Sequence, residues 1–253
     1  MRMVCISRHE AEVKRQRVRG IIHLMPKIDS AIELVKSSLL NSEKPIIAFS
    51  GGKDSLVVLE IVRAIRPDTI ALFCNTGNEY PETVAYVRTF SEVVEVTPEK
   101  SFWQCVKEYG LPAHKLKGKR HGSACCFWLK EKPANNYYKT EKIDLCFTGL
   151  TAGESHQRTM MLGHMGAYYL YKKGNYFKCH PIWNWSEQDV WDYITFKELR
   201  YNPIYDMGIP RCGCRFCTAY NSWKKTTGLY NEKDTHLLAR KQGYKLLSDY
   251  GRI

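Results

Sequence analysis

One short stretch of the chain combines glycine, hydroxyl and charged residues in an order suited to holding phosphate. It follows the apolar run 45–49 and reads Ser50-Gly51-Gly52-Lys53-Asp54-Ser55. The apolar run favours a buried strand, and the residues after the stretch predict a helix. Glycine has no Cβ, so backbone N–H groups can approach a ligand there, and a helix start presents the positive end of its dipole. The stretch therefore predicts a phosphate cradle, to which Lys53 adds a mobile charge and Ser50 and Ser55 add hydroxyl groups.

Strands and helices alternate through the sequence, which is typical of a parallel sheet covered by helices on both faces. Strands are predicted at 45–49, 69–75, 93–96, 143–148 and 175–182, with helices at 54–65, 81–90, 101–109 and 186–197. We therefore expect a doubly wound, mostly parallel, Rossmann-like α/β fold. Ligands of such sheets bind beyond the carboxyl ends of the strands. The residues expected there are Ser50, Gly51 and Gly52, then Asn75, Thr76 and Gly77, and finally Gly149.

Three regions are predicted along the chain. They are a basic N-terminal arm and helix at 1–42, a nucleotide-binding domain at 43–220, and C-terminal helices at 221–253. The arm is basic over 2–20, and apolar residues at helical spacing predict a helix over 27–41. Residues 110–124 form a basic, glycine-punctuated loop, which suits either a mobile anion-binding lid or a plain solvated loop.

The composition is that of a globular protein, and the charge is strongly positive. Hydrophobic residues make up 44% and charged residues 25% of the 253 residues, which excludes a fibrous or disordered chain. No apolar run has the length of a membrane span, and the first residues lack the apolar core of a signal peptide, so a cytoplasmic location is expected. The net charge of +12 suits a site for an anionic nucleotide, and equally a polyanionic partner such as DNA or RNA.

Ten cysteines is a high number for a cytoplasmic chain, where disulfides are rare, so metal binding or redox chemistry is favoured. Two elements stand out, namely the pair Cys125-Cys126 and the run Cys212-Gly213-Cys214-Arg215-Phe216-Cys217. Adjacent cysteines are awkward for a tetrahedral zinc site, whereas an iron–sulfur cubane is wider. The residues alone are compatible with an iron–sulfur cluster, with a zinc site and with thiols that bind no metal. Cys212 has three possible roles, namely a bystander, a neighbour of the metal ligands or a reactive thiol. The other cysteines, Cys5, Cys74, Cys105, Cys146 and Cys179, are predicted to be core residues.

Several motifs resemble known families. The phosphate-binding stretch resembles the PP-loop of the ATP pyrophosphatases, the adenine nucleotide alpha hydrolase superfamily. The cysteine pattern resembles the cluster signature of adenylylsulfate (APS) reductases within the phosphoadenosine phosphosulfate (PAPS) reductase family. Residues 181–194 match that family's Pro-Ile-x-x-Trp-x-x-x-Asp-Val-Trp helix, and 201–208 match its Tyr-Asn-Pro-x-Tyr-Asp segment. The resemblance covers about 45–218.

The resemblance implies a role for each set of residues. In the superfamily the loop holds the β,γ-pyrophosphate of ATP while the α-phosphate is attacked, which implies catalytic roles for Lys53 and Asp54, with Mg²⁺. The implied nucleotide-binding residues are Ser50, Gly51, Gly52, Lys53, Asp54, Ser55, Asn75, Thr76, Gly77 and Gly149. The implied substrate-binding residues are Glu154, Ser155 and Arg158, in a loop where Thr151 replaces the usual arginine. The implied ligands of a [4Fe–4S] cluster are Cys125, Cys126, Cys214 and Cys217.

Two departures from the sulfonucleotide reductases favour ATP cleavage. Those reductases use a cysteine in a tail motif, Glu-Cys-Gly-x-His, whereas no cysteine follows Cys217 in this sequence. They also usually have a degenerate loop, whereas the pair Lys53-Asp54 is intact here. We therefore expect a chain that cleaves ATP between the α and β phosphates.

The expected activity is that of an ATP-dependent adenylating enzyme that installs sulfur into nucleic acid, as in DNA phosphorothioation or tRNA thiolation. Its expected partners are an adenine nucleotide, DNA or RNA, a sulfur donor such as a cysteine desulfurase, and further copies of itself in a homo-oligomer. One alternative is an APS or PAPS reductase that produces sulfite with an unusual nucleophile, either Cys212 or a partner's cysteine. A third possibility is a non-catalytic nucleotide-binding subunit of a larger complex.

Overall fold

The structure is a computed structural model that describes residues 8–109, 124–215 and 217, with side chains from residue 22 onward. The described residues divide into two compact units. The first unit contains 8–47, 53–69 and 144–201, and the second contains 48–52, 70–109, 124–143, 202–215 and 217.

The strands form a six-stranded sheet in the order β3-β2-β1-β4-β6-β5. They are β1 (Pro45–Ala48), β2 (Ile70–Cys74), β3 (Val93–Val96), β4 (Leu145–Thr148), β5 (Tyr168–Tyr171) and β6 (Tyr176–Cys179). The pairs β2–β3 and β4–β6 are parallel, and the pair β5–β6 is antiparallel. The expectation of a mostly parallel α/β fold is thus confirmed.

The helices follow the predicted alternation, with additions. They are α1 (Arg8–Leu39), α2 (Lys53–Ile65), α3 (Pro81–Val87), α4 (Phe102–Tyr109), α5 (Ala124–Cys126), α6 (Lys132–Glu141), α7 (His156–Met165) and α8 (Glu187–Phe196). A π-helix, Phe127–Glu131, connects α5 to α6. None of the helices in the described part of the chain is long and apolar enough to cross a membrane.

In the first unit, α1 packs against α2 and α8 through an apolar stripe. The stripe consists of Leu24, Ile28, Ala31 and Val35, which recur every three or four residues and are buried. At its polar margin the Lys27 ammonium donates to an Asp189 carboxylate oxygen at 2.5 Å. The same carboxylate accepts from the Ser186 amide and completes the capping box at the start of α8. The second unit is built around β2, whose residues Ala71, Leu72 and Phe73 are buried.

Some local expectations were wrong. The helix predicted at 27–41 is longer than expected, because α1 begins at Arg8 in the basic arm and runs continuously through Pro26. Strand β6 ends at Cys179, before Pro181, the residue expected to end it because proline has no amide hydrogen for a ladder. Its antiparallel partner β5 was not predicted. Helix α7 was also missed, since Gly163 lies inside it and its apolar residues have no clear helical stripe. Most of the basic loop at 110–124 and the C-terminal helices at 221–253 lie outside the described residues.

Candidate functional site

The turn Ser50–Gly52 belongs to the second unit and is shaped by two glycines. Gly51 has φ +74°, and a Cβ there would lie 2.8 Å from a methyl carbon of Val87. A Cβ at Gly52 would lie 3.0 Å from the Cβ of Cys212 and 3.3 Å from the Tyr205 hydroxyl. The Gly52 amide donates to the Ser50 hydroxyl at 3.3 Å. Both glycines are therefore required by close packing of this turn against α3 and the segment 202–212.

Two residues from the segment 202–212 bind the carbonyl groups of this turn. The buried amide of Asn202, 1% exposed, donates to the Gly51 carbonyl at 3.1 Å and to the Thr83 hydroxyl at 2.9 Å. The Cys212 thiol donates to the Ser50 carbonyl at 3.2 Å. Burial raises the pKa of Cys212 to about 11, so the thiol stays protonated and able to donate at neutral pH. We call Asn202 and Cys212 the clasp. In the sequence, Asn202 was recognised only as part of the motif at 201–208, and the role of Cys212 was left open.

We expect Asn202→Ala to destabilise the fold by about 1–3 kcal/mol, because two buried hydrogen-bonding groups lose their partner. The same change should weaken ATP binding, since the turn is no longer held from its carbonyl side. Urea unfolding and equilibrium dialysis with ATP measure the two effects. The matched control is Asn184→Ala, because Asn184 is exposed. Equal unfolding midpoints for the two variants would show that the clasp does not hold the turn.

In the first unit, Lys53 begins α2 and its side chain is held between two carboxylates. Lys53 is 8% exposed, and its ammonium lies 3.0 Å from Asp54 and 3.6 Å from Glu187. Opposite charges at these distances keep the ammonium in place beside the first turn of α2. Glu187 was not predicted as part of the site, and no local motif would have indicated it.

Gly149, at the end of β4, lies directly against the backbone of α2. A Cβ at this position would be 2.6 Å from the Asp54 carbonyl carbon and 2.7 Å from the Ser55 nitrogen. No side chain fits at such distances. Gly149 therefore sets how closely β4 approaches the first turn of α2, which gives the predicted site residue a definite packing role.

The predicted substrate-binding residues lie together at the start of α7 in the first unit. The Ser155 hydroxyl caps this helix by accepting from the Arg158 amide at 3.3 Å. Glu154 and the Arg158 guanidinium form an ion pair. Thr151, which stands where an arginine was expected, is buried. The described geometry thus commits Ser155 to a cap and pairs the two charged residues with each other.

The loop after β2, in the second unit, is held by its own side chains. Asn75 donates to Glu95 at 2.7 Å and accepts from the Gly77 amide at 3.0 Å. Hydrogen bonds from Arg88 and Asn75 hold the pKa of Glu95 below its usual value. The Thr76 amide donates to Glu79 at 2.9 Å. Asn75 and Thr76 therefore shape the loop that the sequence assigned to the nucleotide.

The residue that follows Gly77 in this loop is buried. Asn78 is 2% exposed, and neither atom of its side-chain amide has a hydrogen-bond partner among the described residues. The backbone carbonyl of Asn78 accepts a hydrogen bond from the Arg215 backbone amide at 2.6 Å, which connects the loop to the segment 212–217. Burying an amide without a hydrogen-bond partner costs free energy, so Asn78 is a candidate for contacting a polar ligand of this loop.

The four predicted cluster ligands all lie in the second unit, on two segments. Cys125 is buried and Cys126 exposed at α5, while Cys214 and Cys217 are half-buried in a turn closed by the Cys217 amide and the Cys214 carbonyl at 3.2 Å. Burial raises the pKa of Cys214, the charge of Lys130 lowers it, and the charge of Cys126 raises it. The two segments are therefore close enough for their charges to interact. Lys130, four residues after Cys126, was not singled out by the sequence.

These thiols suit an iron–sulfur group in donor chemistry, because a cluster of this kind is held by thiolates. The positions of these thiols do not suit such a cluster, because within residues 22–109, 124–215 and 217 no three Cys, His, Asp or Glu side chains are grouped to hold a metal ion. The cluster therefore remains a proposal, and no chemical step is derived through it.

The chain matches the model of the phosphoadenosine phosphosulfate reductase domain over residues 44–220. It belongs to the PAPS reductase family. An uncharacterised protein of Methanocaldococcus jannaschii is 33% identical over 199 residues, 75% of this chain and 39% of the relative. An adenosine 5'-phosphosulfate reductase of Salinibacter ruber is 29% identical over 171 residues, 66% of this chain and 64% of the relative.

Among solved structures, the PAPS reductase of Candida auris in a phosphate complex has a TM-score of 0.57. It shares 19% identity and is covered completely by 89% of this chain, so it supports the fold alone. The chain spans only 39% and 41% of the lengths of the M. jannaschii protein and of a second curated relative, which are therefore much longer proteins. The family recognised from the motifs is thus confirmed, and the reaction of this member is a separate question.

Proposed function

We propose that this PAPS reductase family member cleaves ATP between the α and β phosphates and adenylates an acceptor for sulfur incorporation. The observation that carries the proposal is the intact loop 50–55, in which the Lys53 ammonium is buried at the start of α2 beside Asp54. In the first unit Gly149 packs against the backbone of Asp54 and Ser55, and in the second unit the clasp binds the carbonyl groups of Ser50 and Gly51.

In the proposed reaction an acceptor oxygen attacks the α-phosphate of ATP. The bond between the α-phosphorus and the bridging oxygen breaks, and pyrophosphate leaves. Lys53 and the N–H groups at the start of α2 neutralise the charge that develops on the leaving group. Asp54 and Glu187 are carboxylates of the kind that Mg²⁺ binds, and this ion when bound adds positive charge at the phosphates.

The proposed second half-reaction replaces AMP on the acceptor by sulfur. The outer sulfur of a persulfide, formed on a donor such as a cysteine desulfurase, attacks the activated carbon or phosphorus, and AMP leaves with the bonding electron pair. A thiol reductant then supplies two electrons to cleave the resulting disulfide, which leaves the sulfur on the acceptor and a thiol on the donor. Nucleic acid is the proposed acceptor because the net charge is +12, which favours a polyanion. The four thiols Cys125, Cys126, Cys214 and Cys217 are the donors that we propose for a [4Fe–4S] cluster, which would require them to move together, because they are not grouped among the described residues.

Sulfonucleotide reduction is the second candidate, supported by relatives that carry the names of APS and PAPS reductases. This reaction needs a thiolate nucleophile. Burial raises the pKa of Cys212 to about 11, and its thiol donates to the Ser50 carbonyl, so this cysteine is a poor candidate.

The two candidates are separated by their products. Protein purified anaerobically is incubated with ATP, Mg²⁺ and either tRNA or DNA, and pyrophosphate is measured. A parallel sample receives APS or PAPS with a thiol reductant, and sulfite is measured. We expect pyrophosphate in the first sample, and sulfite without pyrophosphate would overturn the proposal. Iron and zinc analysis of the same protein tests the cluster.

A further inference from the structure

The hairpin β5–β6 exposes apolar side chains at the edge of the sheet. Tyr168, Leu170 and Phe177 are 37%, 39% and 38% exposed, and we call them the hairpin platform. Leu170 is paired with Phe177, so their side chains share a face, and Tyr168 shares it by strand alternation. The rings of Tyr168 and Phe177 are stacked, with centroids 4.9 Å apart and planes inclined by 6°. Each ring therefore covers one face of the other, and the solvent-exposed part of the pair consists of ring edges and the outer faces.

The sequence around the platform carries positive charge and no negative charge. No Asp or Glu occurs between Ser155 and Ser186, a stretch that contains Lys172 and Lys173. Its other basic residues do not face the platform, because Lys178 lies over the Tyr171 ring on the opposite face of the hairpin and Arg158 is paired with Glu154. Lys172 and Lys173 are exposed in the turn of the hairpin. One carboxylate, that of Asp144, interacts electrostatically with Tyr168. Both oxygens of Asp144 accept hydrogen bonds, from the Ser42 hydroxyl and from the backbone amides of residues 43 and 44.

The hairpin begins near the carboxyl ends of β4 and β6, where the predicted substrate loop of the first unit also begins. Strands β4 and β6 are parallel, so both end at this edge, β4 leading to Gly149. Because β5 is antiparallel to β6, it starts there with Tyr168 opposite Cys179. Neighbouring strands are about 4.8 Å apart, which puts the start of β5 roughly 10 Å from the end of β4. This is a span of one or two nucleotides.

We propose that the hairpin platform binds a single-stranded segment of nucleic acid by stacking bases on Tyr168 and Phe177. Aromatic rings beside lysines are the usual means of holding single strands without sequence preference. A second copy of this chain is a less suitable occupant, because two lysine-bearing hairpins without acidic residues repel each other. The inference rests on the proposed function for the view that nucleic acid is the acceptor.

The test measures binding of fluorescently labelled single-stranded DNA and RNA oligonucleotides to the full chain by anisotropy. Tyr168→Ala and Phe177→Ala should each weaken binding roughly 5- to 150-fold, the range expected for loss of one base–aromatic stack. Tyr168→Phe should bind like the unmodified protein, since the ring is kept. The matched control is Phe196→Ala, because Phe196 is a comparably exposed aromatic residue at 43% and lies on α8.

The charge contribution is tested by the salt dependence. Replacing Lys172 and Lys173 together by alanine should reduce the magnitude of the slope of log affinity against log salt by about 1.4, because each phosphate contact to a single strand contributes about 0.7. Unchanged affinity for Tyr168→Ala and Phe177→Ala would overturn the proposal, as would loss of self-association in these variants with oligonucleotide binding intact. Binding through the platform without pyrophosphate release would keep this inference and overturn the proposed function instead.

Discussion

Lys53→Ala is expected to lower pyrophosphate release from ATP by about 100- to 1,000-fold, the cost typical of removing one preorganised group that stabilises developing charge. Lys53 begins α2, and its ammonium lies 3.0 Å from Asp54 in a largely buried position. Without the Lys53 ammonium, the developing negative charge of pyrophosphate is no longer neutralised at this position, and the carboxylates of Asp54 and Glu187 lose their common partner. Pyrophosphate release at saturating ATP and Mg²⁺ measures the effect.

Lys36→Ala is the matched control, since Lys36 is exposed on α1 and should leave the rate unchanged. Circular dichroism and unfolding curves confirm that both variants fold. Metal content provides a separate readout, because Lys53 and the four predicted ligand cysteines belong to different units. A Lys53→Ala protein that is folded and releases pyrophosphate at the normal rate would exclude Lys53 from catalysis.

Gly149→Ala is expected to destabilise the protein by about 1–3 kcal/mol and to abolish most pyrophosphate release. The added Cβ would lie 2.6 Å from the Asp54 carbonyl carbon and 2.7 Å from its oxygen. Backbone atoms cannot rotate away as a side chain can, so the first turn of α2 has to move. Lys53 and Asp54 then move with it.

The matched control is Gly153→Ala, because nothing lies within 4 Å of the Cβ that it would add. Both variants are compared by urea unfolding and by pyrophosphate release. Equal stability and activity in the two variants would mean that the close approach of β4 to α2 is unimportant for the site.

Much of the fold could be predicted from sequence, because its signals are local. Apolar runs of strand length alternate with helical patterns, and β1 to β4 lie where those runs were found. The exceptions have physical reasons. Strand β5 is a short aromatic run on an exposed edge, and the π-helix after Cys126 has a sequence like that of an ordinary helix.

The candidate site divides in the same way. The loop 50–55 and its neighbour at 75–77 were predicted because a strand, a glycine turn and a helix start are contiguous in the chain. The four cysteines were recognised by spacing, yet spacing could not say whether they are grouped, and the described residues do not group three of them.

The sequence by itself therefore determined the family, the mostly parallel sheet and the glycine loop 50–55 between β1 and α2, all of which depend on neighbouring residues. Only the tertiary structure decided what supports that loop. Asn202 binds a carbonyl 151 positions earlier in the chain, and Cys212 binds one 162 positions earlier. Gly149 is needed because the backbone of Asp54 leaves no room for a Cβ. Such contacts follow from the path of the folded chain, which local propensities do not encode.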